Sequence, residues 1–358
     1  MGTAPGDMAC VPRGRDSPGH GRTWGRVLPT AAGLASVTWI TSGCAADAPS
    51  MFKPAGPGAA RVEGLAWLLF GLSAAVFCFV TALLILSVVR RRRARGPVDE
   101  RGHEAAEWGD RFILVAGVLV PAVILTGTFV VGLREMRALA KPLNHTRMTI
   151  SVIGHLWWWE ARYPNGAVTA NEIHIPVGVP VRVELTTADV IHTFWVPQLQ
   201  TKTDQIPGHT NEMWIQADAA GRYRGQCSQF CGLQHAHMIF YVVADPPAEF
   251  ESWVSGQASP AKAPDSPAAA RGLQVFTSTT CAGCHTIRGT PAQATVGPDL
   301  THLASRATIA SGTISDTTAD LEAWITDPQS IKPGAIMPPT QLSPSDLQAL
   351  VAYLQSLS

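Results

Sequence analysis

Two long apolar runs constrain the fold of this chain more than any other feature of its sequence. Residues 64–89 and 112–133 contain no Asp, Glu, Lys, Arg or His, and each is long enough to cross a bilayer as a helix. An Arg-rich stretch at 90–95 follows the first run directly. Because such residues stay in the cytoplasm, the 90–111 loop is predicted inside and both ends outside. We therefore predict a two-helix transmembrane hairpin over 60–135, in a bacterial cell membrane, with all later residues on its outer face.

Residues 1–46 have the pattern of a targeting segment. Arginines precede an apolar stretch at 27–40, and small residues follow it. That stretch is too short to span a bilayer. Cleavage before a lipid-modified Cys44 and cleavage near Ala46 both fit the pattern.

Residues 147–245 are predicted to be all-β. Partly alternating, β-branched segments begin at Met148, Val179 and Met238, and Gly and Pro residues punctuate the region. Short strands and turns in this arrangement are typical of a Greek-key β-sandwich. The formal net charge of the 358 residues is zero and only 15% are charged, so the composition excludes the basic footprint of a nucleic-acid-binding protein.

A cluster of soft metal ligands lies in this β region. Cys227, Cys231, His235 and Met238 fall within one short loop, and His192 is a further candidate upstream. Thiolate, thioether and imidazole donors suit copper. One copper needs a single Cys, so two in the same loop indicate two metal atoms sharing thiolate bridges. Zinc is the alternative, since Cys/His clusters commonly bind it.

A second redox site follows at Cys281-Ala-Gly-Cys284-His285, the attachment motif for c-type haem. The two thiols bind the haem covalently, and His285 faces the iron. Met337 is the one Met after His285 and is the predicted opposite axial ligand, with His302 as its rival. A carbonyl in 297–300 is expected to hold His285 in place.

The sequence from 255 to 268 is rich in Ser, Gly, Pro and Ala, which predicts a flexible linker. Residues 269–358 are predicted to form a small helical domain. Its last helix has Ser343 as N-cap, Pro344 at the first helical position and Asp346 completing a capping pattern.

These features together resemble cytochrome c oxidase subunit II in the form fused to a cytochrome c domain (caa3-type). The resemblance covers nearly everything after residue 60. It implies a hairpin, a cupredoxin domain over 147–245, and a small all-α class I cytochrome c domain over 269–358.

The resemblance also assigns roles to individual residues. Cys227 and Cys231 would bridge the two atoms of a binuclear copper centre, CuA, and His192 and His235 would each bind one copper. Met238 and the carbonyl of Gln229 would be weak ligands. The site residues implied by motif and resemblance are then His192, Cys227, Gln229, Cys231, His235 and Met238 for CuA, His285 and Met337 for the haem iron, Cys281 and Cys284 for the covalent haem, and Trp157 for electron entry.

One position departs from the family pattern. Where this chain has Gln229, the family commonly has Glu, whose side chain helps bind magnesium. A neutral amide is a poorer magnesium ligand, so the resemblance does not extend to that site.

The expected function is electron transfer in a respiratory haem-copper oxidase, from haem c to CuA and on to a catalytic subunit that reduces oxygen to water. Subunit I and other membrane subunits are the expected partners, with a donor complex or a soluble cytochrome supplying the electrons. This chain is expected to hold no catalytic residue of its own. A stand-alone membrane-anchored electron carrier and the CuA subunit of a nitric oxide reductase are the alternatives.

Overall fold

Two long helices carry the predicted membrane-spanning runs. In the computed structural model they are α1 (Pro57–Arg93) and α2 (Gly109–Ala140), each long and apolar enough to cross a membrane. A π-helical turn at Val115–Leu119 precedes Pro121 in α2; a proline lacks the N–H that would continue the regular ladder. The structure describes residues 49–93, 109–141, 146 and 148–358. The predicted leader with Cys44, and residues 94–108 of the Arg-rich loop, lie outside this range.

The β domain contacts both helices at the ends opposite the Arg run. At the start of α1, the N–H of Ala59 donates to the carbonyl of Leu199. At the end of α2, the carbonyl of Leu139 accepts from the Trp214 indole over 2.8 Å. Arg61 and Glu135 then join the two helices through an ion pair of 3.2 Å. The β domain and the Arg run are thus on opposite sides of the apolar spans.

The predicted β-sandwich is confirmed as two five-stranded sheets, ordered β3-β2-β1-β5-β8 and β4-β10-β9-β6-β7. Alternate side chains of both sheets face a buried core that includes Ile150, Trp159, Phe194 and Phe240. The strands are β1 (Met148–His155), β2 (Trp158–Arg162), β3 (Val168–Ala170), β4 (Glu172–Pro176), β5 (Val181–Thr187), β6 (His192–Trp195), β7 (Thr203–Gln205), β8 (Asn211–Ile215), β9 (Gly221–Cys227) and β10 (Ile239–Asp245).

The C-terminal domain is small and mainly helical, as predicted. Its first and last helices pack against each other, where Gly272 lies directly on the main chain of Ala349. Ser343 caps the last helix by accepting from the Asp346 N–H, with Pro344 in the first turn. The elements are α4 (Pro267–Ser278), β11 (Thr308–Ile309), β12 (Ile314–Ser315), α5 (Thr318–Thr326), α6 (Pro328–Ile331) and α7 (Pro344–Gln355), and the preceding helix, α3, is Pro247–Ala258.

The connection between the two domains is shorter than the flexible linker predicted over 255–268. Residues 255–258 belong to the end of α3, and 267–268 begin α4. A Pro-initiated helix whose Phe250 is buried against the sandwich extends further than the composition indicated. Only 259–266 lie between the helices, and His302 holds them by donating to the Ser259 carbonyl over 3.0 Å.

Candidate copper and haem sites

The ends of three neighbouring strands bring the predicted copper ligands together. Strand β6 begins at His192 and β9 ends at Cys227, and the two strands pair at Phe194 and Cys227. The chain then passes through the loop that holds Cys231 and a short 3-10 turn from His235 to His237. Met238 directly precedes β10.

The donor atoms of this cluster lie close to one another. The ligand atoms of His192, Cys227 and Cys231 are all within 4.8 Å, and all three residues are buried. The separations are 3.9 Å from His192 Nδ1 to Cys227 Sγ, 3.8 Å between the two Sγ atoms, 3.6 Å from His235 Nδ1 to Cys231 Sγ, 3.8 Å from Met238 Sδ to Cys231 Sγ, and 3.1 Å from the Gln229 carbonyl to Cys227 Sγ. All six residues predicted for the copper site therefore converge. The Gln229 side chain itself is exposed.

Asp189 fixes the orientation of His192. The His192 Nε2–H donates to the Asp189 carboxylate over 2.8 Å, which leaves Nδ1 facing the thiols. The same carboxylate accepts from the N–H groups of Leu156 and Val190. Burial opposes charge on His192, but the contacts with Asp189 and Cys227 outweigh it and raise the pKa of His192. Asp189 was not among the predicted site residues, although its position three residues before His192, a predicted copper ligand, was a usable signal.

The sulfurs of the two thiols lie 3.8 Å apart and interact directly. This contact lowers the pKa of Cys227, against the effect of burial. The same contact, together with burial, raises the pKa of Cys231. Two adjacent thiolates repel unless cations lie between them. A set of two sulfurs, two imidazoles and a thioether, buried except for the half-buried His235, therefore fits copper ions, which accept soft ligands.

A cavity in the helical domain contains the predicted haem residues. Cys281, Cys284 and His285 line one part of it and Met337 another. The rest of the lining is largely apolar, with Phe276, Leu303, Trp324, Ile325, Leu350 and Leu354 among its residues. An apolar pocket with two thiols and an imidazole on its wall fits a covalently attached haem.

The environment of His285 suits an iron ligand. Its Nδ1 donates to the Pro298 carbonyl over 2.8 Å, within the segment where the sequence placed such a carbonyl. Burial lowers the pKa of His285, which favours the neutral ring that can bind iron. A Cβ at Gly297 would come within 2.5 Å of the imidazole, so a side chain there would displace the ring. His302, the rival to Met337, contacts the interdomain connection instead.

Trp157 contacts both sites. Its indole N–H donates to the Cys231 carbonyl over 2.9 Å, and the residue also lines the haem cavity. The neighbouring Trp158 also lines that cavity and stacks on His155 at 4.1 Å. The three-Trp segment thus connects the two candidate sites.

Comparisons with known proteins match the two domains to two families. The family described as Cytochrome C oxidase subunit II, periplasmic domain, matches residues 166–244, and the family described as Cytochrome c matches residues 269–358. The periplasmic domain of subunit II of cytochrome oxidase from Bradyrhizobium japonicum is 34% identical over 32% of this chain and 95% of that one, with a TM-score of 0.31.

Two full-length relatives extend the match over nearly the whole chain. The cytochrome c oxidase subunit 2 of Alkalihalophilus pseudofirmus is 36% identical over 344 residues, which is 94% of this chain and 98% of that protein. The protein of the same name from Bacillus subtilis is 28% identical over 90% of this chain and 96% of its own length. The predicted family is therefore confirmed: this chain belongs to the cytochrome c oxidase subunit 2 family, in the form that carries a C-terminal cytochrome c domain.

Proposed function

We propose that this chain is the subunit through which electrons enter a respiratory haem-copper oxidase. Electrons would pass from a covalent haem c to a binuclear CuA centre, and then to a catalytic partner subunit that reduces oxygen to water. The observation that carries this proposal is the position of Trp157, which contacts the Cys231 carbonyl and the haem cavity together. When bound, each of the two centres accepts and releases single electrons.

The side chains around each centre have distinct proposed roles. Cys227, Cys231, His192 and His235 would hold the coppers, with Met238 and the Gln229 carbonyl as weaker ligands. Cys281 and Cys284 would attach the haem, and His285 and Met337 would bind its iron. Asp189 keeps His192 in one tautomer and orientation, and the Pro298 carbonyl does the same for His285.

The two apolar helices would anchor the chain in the cell membrane with both redox domains on the outer face. This orientation is supported by the Arg run at one end of the helices and the β domain at the other. The other oxidase subunits would pack against the exposed apolar side chains of α1 and α2. The magnesium-binding role common in the family at position 229 is not part of the proposal, because a Gln stands there.

Metal and haem analysis of the intact purified complex tests the proposal. We expect the wild-type complex to contain two more coppers for each copy of this chain than the Cys227→Ser complex, and both complexes to keep one covalent haem. Cys78→Ser, at an exposed thiol in α1, should leave the copper content at the wild-type level. A difference of one copper between wild type and Cys227→Ser, or zinc in its place, would contradict the CuA assignment.

Isolation of the complex from membranes separates the remaining alternatives. An oxidase subunit should co-purify with a large multi-span haem protein and consume oxygen. A stand-alone carrier would be isolated alone, and a nitric oxide reductase subunit would support nitric oxide reduction instead.

A further inference from the structure

The cytochrome domain lies against the cupredoxin domain through a contact that reaches the loop from Cys227 to Met238. We call this segment the copper-ligand loop. On the cytochrome side this contact consists of Lys332, Pro333 and Gly334. On the cupredoxin side it consists of Trp157, Leu233, Gln234 and His237. We call these seven residues the docking contact.

Lys332 is the centre of the docking contact. Its ammonium group donates to two main-chain carbonyls of the cupredoxin domain, Trp157 at 3.2 Å and His237 at 3.0 Å. These carbonyls belong to two separate segments, one carrying the Trp that contacts both sites and the other lying between His235 and Met238. One side chain of the cytochrome domain thus joins both segments.

Lys332 is almost fully buried, with 4% of its surface exposed, and it also lines the haem cavity. Within the part of the chain that the structure describes, no carboxylate lies within 4.0 Å of its ammonium group. Burial lowers the pKa of Lys332 to about 8. A buried amine without an acidic partner is costly, so the two carbonyls are the groups that retain it.

Neighbouring contacts hold the same two segments, 332–334 and 233–237, in one position relative to each other. The Gln234 amide donates to the Pro333 carbonyl over 2.6 Å, and its oxygen accepts from His237 at 2.8 Å. A Cβ at Gly334 would lie 2.7 Å from Leu233, so the two segments of the chain are in close contact there. Met337, the proposed iron ligand, follows this segment by a few residues.

We propose that Lys332 is a positioning residue that holds the cytochrome domain in a fixed position on residues 232–238 of the copper-ligand loop. It thereby sets the distance and orientation between haem and copper for electron transfer. The cytochrome domain is then docked on the copper-ligand loop and does not move freely on its connection. The effect of Lys332 on electron transfer rests on the proposed function. The contact between the two domains does not, because it is made entirely by residues of this chain.

The first test is hydrogen exchange on the full chain in its complex, comparing wild type with Lys332→Met. The variant keeps the length of the side chain and removes its charge and donors. We expect faster exchange in the peptides that cover 232–238 and 332–337. Lys262→Met removes a charge from an exposed lysine in the interdomain connection and should leave exchange at the wild-type rate. Lys332→Arg keeps the charge and donors and should recover most of the lost protection.

The second test measures electron transfer after rapid reduction of the haem in the same complexes. Lys332→Met should slow copper reduction several-fold, because electron transfer slows as the distance between two redox centres grows. It should also lower the midpoint potentials of both centres, because a buried positive charge favours the reduced forms. Lys332→Arg keeps the charge and the donors and should recover both the rate and the potentials.

Wild-type exchange and wild-type transfer in Lys332→Met would overturn the inference. If that variant fails to retain haem, Gln234→Ala tests the contact from the other domain, and unchanged exchange at 332–337 there would likewise overturn it. A wild-type complex that lacks copper, or that transfers no electron between its two centres, would instead count against the proposed function. The exchange result would then still decide whether Lys332 holds the domains together.

Discussion

The indole N–H of Trp157 donates to the main-chain carbonyl of Cys231 over 2.9 Å, and Trp157 also lines the haem cavity. The Trp157 carbonyl, in turn, accepts from Lys332 of the cytochrome domain. One residue therefore contacts the copper-ligand loop through its side chain and the cytochrome domain through its main chain. This relationship makes Trp157 the first position at which to test electron transfer between the two sites.

Trp157→Phe should slow transfer from haem to copper without loss of either centre. Phe retains an aromatic ring but cannot donate to Cys231, and the lost hydrogen bond should weaken the contact by about 1 kcal/mol. The measurement is the rate of copper reduction after rapid haem reduction. Trp158→Phe is the matched control, because Trp158 lines the same cavity but its side chain makes no hydrogen bond with the copper-ligand loop in the described structure. Equal rates in the two variants would contradict a specific role for Trp157.

Asp189→Asn should weaken copper binding while the chain stays folded. The carboxylate holds His192 with Nδ1 toward the thiols, and loss of such a partner costs about 10- to 100-fold in metal affinity. Copper content after dialysis against a chelator of graded strength is the measurement.

Asp245→Asn is the control for the Asp189 substitution. It breaks a comparable carboxylate–imidazole pair, at 2.6 Å from His174, on strands that hold none of the proposed ligands. Copper retention should match wild type there. An Asp189→Asn protein that kept its copper as firmly as this control would show that His192 is oriented by other contacts.

The separate sites were predictable because their chemistry is local in sequence. The Cys227–Met238 loop and the Cys281–His285 motif each place several donors within one short segment, and the capping pattern at Ser343 likewise involves adjacent residues. His192 needed the fold to bring it to the loop, but its residue type and flanking sequence identified it as a candidate.

The relation between the domains was not predictable from the same patterns. The contacts of Lys332 with Trp157 and of Gln234 with Pro333 join residues 175 and 99 positions apart. Periodicity and composition carry no signal for such pairs, since each residue alone has the pattern of an exposed loop. The length of the linker was overestimated for a related reason: Ser, Gly and Ala at the end of α3 are tolerated in a helix that packs on the sandwich.

Gly272→Ala should destabilise the cytochrome domain. A Cβ at this position would lie 2.0 Å from the Ala349 carbonyl oxygen and 2.5 Å from Tyr353, so α4 and α7 would have to move apart. Overpacking of this kind costs about 1–3 kcal/mol or more. Thermal unfolding followed by the haem absorbance should show a lower midpoint.

Gly256→Ala is the matched control for that substitution. Gly256 also lies in a helix, but a Cβ there meets no atom within 4 Å, so the substitution should be neutral or stabilise by up to about 1 kcal/mol. Similar losses in both variants would mean that Gly272 is not a close-packing position.

Asp316→Asn should stabilise the cytochrome domain at neutral pH and have little effect in acid. Burial raises the pKa of Asp316 to about 6, with Arg306 opposing the shift and Glu172 adding to it. The ordinary pKa of the Asp carboxyl, 3.8, applies in the unfolded chain. At pH values between 3.8 and about 6, the folded protein therefore binds a proton at Asp316 that the unfolded chain does not bind. Stability from this group is therefore gained as the pH falls through 6 and is absent above it.

The expected gain from Asp316→Asn is on the order of 1 kcal/mol at pH 7.5, after allowance for solvent screening of a half-buried group. It should decline towards zero at pH 4, where Asp316 is protonated and resembles Asn in charge. Thermal unfolding at several pH values from 4 to 7.5 is the measurement. Asp265→Asn, at an exposed Asp in the interdomain connection, is the control and should change stability by the same small amount at every pH. A gain that stayed constant from pH 4 to pH 7.5 would contradict the raised pKa, because only an ionisation difference between folded and unfolded chains makes the effect depend on pH.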